Sequence, residues 1–430
     1  MDKRKNSFFF RNAGAVATVE FFWGLGFPIV LESTFLQLFL KELGASDLVV
    51  GTIPALFVFC SSCFPIFAGY LTRNIRFKKK IVMLVHIIPG TVIFLLGCTM
   101  LAVDERNILP VFFFFYTIFS ITLGFAVPIW LNFLTRIFSQ ARAVPGLGYM
   151  MLAQNTAKII SSLFLLKIVS QYAFSAVSCA MVFLMTGTVF IVGALFFLVT
   201  REFEERDDPL PSQSSFLTHT REALKEILAN KPFLVFLIAD LDYYIIITTL
   251  SFYANYATQY YGVSQAVAAG FFVSCIYSGS ITVNILLGTL DLLGLKQKFI
   301  LSKYLTFMAL LLLITVPGIW SFFLISFLLG TTRAIRNVVY TPSIKLFSGK
   351  SDATDYFALA PLLTAPIAFG FPLLFGRFLD LTSTMGPSSY KILFGSSAVL
   401  LLVTFAFTLK TRYHTPVPSL SKQERRGATN

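Results

Sequence analysis

Lys158 is the residue from which chemistry starts in this chain. It lies about 18 Å into an apolar stretch that opens near Gly146, at 1.5 Å of helix per residue. A charge at that depth costs roughly 2.5–3.5 kcal/mol even on a lenient insertion scale, so it needs a reason. The stem cannot easily carry the ammonium back to water from there. The reason is a carboxylate partner, a water-filled cavity or an anionic ligand, and the sequence leaves substrate contact and a structural ion pair open. Gln154 and Asn155 stand one turn away and would share its polar face. Glu20 and Asp240 each sit about two turns into an apolar stretch of their own. Either carboxylate could hold a proton or close a salt bridge, and the reading favours a cavity for Glu20 and a gate for Asp240. Tyr243 and Tyr244 flank the Asp240 face, whereas Asp242 points elsewhere. Arg333, Arg336, Asn337 and Tyr340 recur at helical spacing as one polar stripe. That stripe predicts an ion pair from Asp240 to Arg336 or Arg333, with Arg333 alternatively free to bind an anion. Trp23 is a candidate to stack on a ligand, though packing is the commoner role of such a ring. Glu32 is expected near the outer end of its stretch, in reach of solvent. His86 is expected to be a satisfied core histidine.

The elements that must position these groups are membrane helices. The 430 residues are 56% hydrophobic and only 13% charged, where soluble domains carry about a quarter. Apolar spans are predicted at 14–40, 48–71, 80–103, 108–134, 146–169 and 172–200, then at 233–258, 265–290, 299–316, 319–342, 355–380 and 388–410. Each is long enough to cross about 30 Å of hydrocarbon with some tilt. Inside lipid the backbone must satisfy its own N–H and C=O groups, so the spans are helical.

The expected fold is an all-α integral membrane protein of about twelve transmembrane helices in two six-helix halves. The expected division is 1–200 for the first bundle, 201–232 for a linker, 233–410 for the second bundle and 411–430 for a tail. In the linker Phe216, Leu217, Ala223, Leu224, Ile227 and Leu228 recur at helical spacing, which predicts an amphipathic helix at the membrane surface or against a partner helix.

Charge then sets orientation. The net charge is +13, and the basic residues crowd alternate loops. Lys3, Arg4, Lys5, Arg11, Arg73, Arg76, Lys78, Lys79, Lys80, Arg136 and Arg142 share one side, as do Lys296, Lys298, Lys345 and Lys350. The other side offers Lys41 and Arg106. The positive-inside rule makes both termini and the linker cytoplasmic. The same placement reads the charge as topology, so no nucleic-acid partner is expected. The first residues mimic a signal peptide, but Glu20 interrupts the apolar run and no small-residue cleavage site follows. Cys60, Cys63, Cys98, Cys179 and Cys275 all fall within spans and read as packing. No nucleotide loop, metal cluster or catalytic triad is present in the sequence, so neither a cofactor nor an enzyme activity is expected.

A weak internal repeat links the halves. Leu43-Gly44-Ala45-Ser46 precedes the second span, and Tyr261-Gly262-Val263-Ser264 precedes the eighth. After the second span comes Gly69-Tyr70-Leu71-Thr72-Arg73, with Arg76 and Lys78 to Lys80 following. After the eighth comes Gly288-Thr289-Leu290-Asp291, with Gly294, Lys296 and Lys298 following. These loops resemble the hallmark loop of the major facilitator superfamily, Gly-x-x-x-Asp-Arg/Lys-x-Gly followed by basic residues. Arg73 replaces the family's Asp and Arg76 its second Gly; the second copy keeps Asp291 and Gly294 but shifts the first Gly by one. The resemblance spans essentially the whole chain.

It implies alternating access, in which two bundles rock about a midplane cavity lined by the first, fourth, seventh and tenth spans. It also implies a role for the loop in locking the cytoplasmic gate. The drug-antiporter marks of the family are absent: the fourth span carries no internal charge and the fifth no Gly-Pro pair. Lys158, Arg333 and Arg336 make the implied lining basic. The expected activity is secondary transport of a small anionic or zwitterionic solute, with protons as a possible coupling ion. The expected partners are that solute and membrane lipids, the expected working unit is a monomer, and the expected location is a bacterial cytoplasmic membrane. A lipid or lysolipid translocase and a non-transporting sensor of the same fold remain open.

Overall fold

The computed structural model describes residues 2–72, 75, 77–139, 142–203, 216–349, 353–411 and 413. Among these, twelve helices are long and apolar enough to cross a membrane. They are Phe9–Glu42, Asp47–Ala68, Lys79–Ala102, Glu105–Leu134, Pro145–Tyr172 and Ala176–Val199, then Lys231–Tyr260, Gln265–Gly288, Leu295–Thr315, Ile319–Ser348, Asp355–Leu381 and Pro387–Lys410. The all-α membrane fold expected from the sequence is the one observed. The amphipathic helix of the linker runs Phe216–Ala229. Ala223 and Ile227 are buried on its inner face, and Leu217 and Leu228 are exposed. It rests on the start of the seventh span and on the eleventh. The middle of the linker and residues 414–430 lie outside the described residues.

Helix pairing repeats between the two groups of six. The third span packs on the fourth and sixth, and the ninth on the tenth and twelfth. The second packs on the fourth as the eighth does on the tenth. Across the groups, the second span packs on the eleventh and the fifth on the eighth. The second–eleventh crossing is close enough to need glycine. A Cβ at Gly376 would stand 2.4 Å from the Asp47 carbonyl oxygen, and one at Gly51 would stand 2.4 Å from that of Pro372. Backbones approach this closely only where the side chain is absent.

Three helices depart from the sequence reading, each at a polar residue or proline. The first span is two helices, Phe9–Val30 and Ser33–Glu42, separated at Glu32, which is extended at φ −81° and ψ 129°. The seventh is also two, Lys231–Ala239 and Asp242–Tyr260, with Asp240 closing the first piece. The tenth runs through Pro342 to Ser348 and stops at Gly349, whose φ of 66° is left-handed. Helix breaks inside a membrane are tolerated where protein re-satisfies the freed backbone groups, and at the break in the seventh span Lys303 donates to the Ala239 carbonyl. We call the side holding the helix Phe216–Ala229 the linker face, and the other the distal face.

Candidate functional site

Lys158 and Glu20 meet at the contact of the first and fifth spans. Glu20 is buried and accepts a 2.5 Å hydrogen bond from Gln154 Nε2, one helical turn before Lys158. Among the described residues the Lys158 ammonium has no carboxylate within ion-pair distance. It lies over two rings, 5.1 Å from the centroid of Phe27 and 4.9 Å from that of Tyr277 on the eighth span. Glu20, Glu32 and Arg333 surround it within electrostatic reach. Ring faces attract such a cation but do not neutralise it.

Glu32 corrects the expectation that solvent would reach it. Only 6% of its surface is exposed. The first span continues for ten residues beyond it as Ser33–Glu42, so it lies inside the bundle rather than at its rim. The extended backbone at the break aims its carboxylate across to the other group of helices. There Arg333 Nη1 of the tenth span stands 2.8 Å from Oε1 and 2.9 Å from Oε2, and the Tyr277 hydroxyl donates to Oε1 at 2.7 Å. Arg333 therefore pairs with Glu32, not with Asp240. Tyr277 was missed by sequence reasoning because one tyrosine in an aromatic-rich chain carries no signal until its partners are known.

Asp240 pairs with Arg336: Nη2 to Oδ2 is 2.9 Å, and Nε lies 3.3 Å from both carboxylate oxygens. The guanidinium stacks between Tyr340 at 3.6 Å and Tyr243 at 4.1 Å. Both partners belong to the second group of helices, and the pair is one of the two that the sequence predicts. It braces the break in the seventh span. Asp242 braces the other side of the same break, 2.5 Å from Lys303 Nζ of the ninth span. Lys303 also donates to the Ala239 carbonyl, which the break leaves without its helical partner. Lys303 was missed, although it lies within the apolar span 299–316 and was there to be read.

The other candidates divide. Tyr244 turns away and hydrogen-bonds Thr364 at 2.7 Å. Asn155 is buried and Asn337 exposed. Trp23 is buried in its own group of helices, stacked 4.4 Å from Phe190 with His86 at its edge. His86 is also buried there, its Nδ1 2.7 Å from the Val82 carbonyl.

In the loops, Arg73 and Arg76 lie outside the described residues, and Gly69 falls within the helix Asp47–Thr72. Gly288 is in the π-helical turn Asn284–Thr289, and Asp291 adopts a left-handed φ of 48° and pairs with Lys298. The Gly294 N–H donates to Gln297 Oε1 at 3.0 Å. Lys296 donates to the Thr411 carbonyl at 3.2 Å, tying the ninth span to the end of the twelfth. These described loop contacts brace one half rather than joining two.

Among the described residues, polar links between the halves stand at mid-depth and beyond, toward the distal face. Besides Glu32–Arg333 and Glu32–Tyr277, Gln265 donates to Glu42 at 3.1 Å. Asp380 of the eleventh span accepts from the backbone N–H groups of Asp47 and Leu48 at 2.7 and 2.9 Å. It thus caps the second span from across the interface, satisfying two of the four N–H groups that a helix start leaves free.

The family profile of the Major Facilitator Superfamily matches residues 15–341. Solved structures of similar fold include a bacterial homolog of the human lysosomal transporter Spinster, inward-facing and unoccupied. It is 16% identical, with 95% of this chain and 98% of that one covered at a TM-score of 0.63. A mutant of the nucleoside transporter NupG is 13% identical, covering 93% and 100% at a TM-score of 0.72. A mutant of the peptide transporter POT in complex with alafosfalin is 13% identical, covering 93% and 95% at 0.70. No curated protein matches the sequence.

Proposed function

This chain belongs to the Major Facilitator Superfamily, and from that premise we propose that it moves a small anionic or zwitterionic solute by alternating access, with a proton as coupling ion. The observation that carries the proposal is the unpaired Lys158 ammonium at mid-depth, beside Tyr277 of the opposite half. A solute carboxylate or phosphate supplies the missing counter-charge. In a zwitterion, the cationic end would lie toward Glu20, whose carboxylate keeps free acceptor capacity beside its one bond from Gln154.

On this reading the linker face is cytoplasmic, because the basic loops lie there. The links toward the distal face then close the outside, and the state described is closed outward. Opening outward separates Glu32 from Arg333 and leaves a buried carboxylate and a guanidinium each short of a partner. A proton on Glu32 and a solute anion on Arg333 relieve both at once, which ties proton entry to solute entry. The working unit is a monomer, since both halves of the site come from one chain.

One observation favours a second reading, lysolipid translocation. An apolar groove of about 190 Å³ runs between the first, fifth and sixth spans, lined by Leu25, Phe164 and Met185 and reaching Ser161, one turn from Lys158.

Counterflow in proteoliposomes tests the proposal. Exchange of an internal acidic metabolite for the same labelled compound outside, lost on Lys158→Ala, is the expected result. Binding without exchange would make the chain a sensor, and exchange of lysolipid alone would favour translocation.

A further inference from the structure

At the linker face the second group of helices holds a cavity that the transport reading does not use. It has a volume of about 550 Å³ and is walled by the start of the seventh span, the end of the tenth and the end of the twelfth. Lys231 and Lys410 line it, and among the described residues no acidic one does. Both lysines are exposed, and among the described residues neither makes an ion pair; Lys410 lies 5.4 Å from the ring of its neighbour Phe407. The rest of the wall is chiefly apolar: Pro232, Val235, Leu346 and Phe347.

We infer that this cavity binds the headgroup of an acidic phospholipid, its phosphate between Lys231 and Lys410 and its glycerol and first methylenes against Val235, Leu346 and Phe347. The ligand chemistry is a phosphate anion attached to apolar carbon. Two unneutralised ammonium groups call for an anion, and basic pockets between helix ends at a membrane surface suit lipid phosphates. The apolar wall would give a free phosphate ion nothing, but it would cover the part of a lipid that joins headgroup to chain. Charge also separates lipid classes. A choline headgroup brings its own cation against two lysines, while a glycerol headgroup leaves the phosphate charge uncancelled.

The place has a consequence for the fold. Phe347 of the cavity stacks 5.2 Å from Phe236, which belongs to the short helix Lys231–Ala239 that ends at Asp240. A lipid bridging Lys231 and Lys410 therefore fastens that helix to the twelfth span.

The test uses the full chain in neutral detergent, followed by thermal unfolding, with phosphatidylglycerol or phosphatidylcholine added to the micelles. Phosphatidylglycerol is expected to raise the midpoint and phosphatidylcholine not to. In Lys231→Gln/Lys410→Gln the half-saturating mole fraction of phosphatidylglycerol rises at least tenfold. It is retained in Lys231→Arg/Lys410→Arg and in Lys345→Gln, whose lysine is exposed on the same face outside the cavity. Equal responses to the two lipids overturn the inference. So does an unchanged response in the Gln double variant, or full displacement by millimolar inorganic phosphate, which would make this a free-anion site.

Discussion

Glu32 and Arg333 are separated by 301 positions in sequence and by 2.8 Å in space. One stands at a break in the first span and the other at mid-depth of the tenth, so their pair joins the two halves through the site. With Tyr277 on the same carboxylate and the Lys158 ammonium over the Tyr277 ring, four side chains from four spans form one unit.

Breaking that pair from one side should be costly. Arg333→Gln leaves Glu32 buried with Tyr277 alone and should destabilise by about 3–5 kcal/mol, the usual range for an orphaned buried charge. Glu32→Gln/Arg333→Gln should cost less than Arg333→Gln by itself. A double-mutant cycle from thermal unfolding measures the difference; additive effects would show that the two groups do not depend on one another.

The distal closure should respond to bulk at its glycines. Gly376→Trp cannot fit against the Asp47 carbonyl and should hold the second and eleventh spans apart. Spin labels at Ser46→Cys and Met385→Cys in a cysteine-free background should then report a longer separation. Asp380→Ala, which uncaps the second span, should shift the population the same way but less, since a lost cap is worth about 1 kcal/mol.

Asp240→Asn should not. Its partner Arg336 lies in the same half, so the variant should lose stability while the Ser46–Met385 distance distribution stays as in the parent. A shift toward the outward-open distances would give Asp240 a gate role.

Trp23→Phe separates packing from binding. The indole is enclosed by Phe190 and His86. The smaller ring should lower the unfolding temperature by an amount fitting a cost of about 1–3 kcal/mol and leave solute affinity unchanged. A tenfold loss of affinity with unchanged stability would place the ring in the site.

The sequence carried the architecture because apolar length is a local property, and a membrane turns it directly into helices. It also carried Lys158, Glu20 and the Asp240–Arg336 pair, since a charge deep in an apolar run is visible without any contact map. It failed at Glu32 because depth was counted along one straight helix, and the break at that residue both extends the span and re-aims the side chain. The role of Tyr277 and the cap from Asp380 exist only between spans distant in sequence, so helical spacing held no trace of them.

The central claim, that Lys158 awaits the anionic part of a solute, is tested most directly by thermal unfolding of the purified protein against a panel of small metabolites. At a hundred times its dissociation constant a true ligand stabilises by about 2.7 kcal/mol, enough to resolve. The account predicts that acidic or zwitterionic compounds stabilise the parent and fail to stabilise Lys158→Ala. An anion that stabilises both to the same extent would contradict it and leave Lys158 a structural residue.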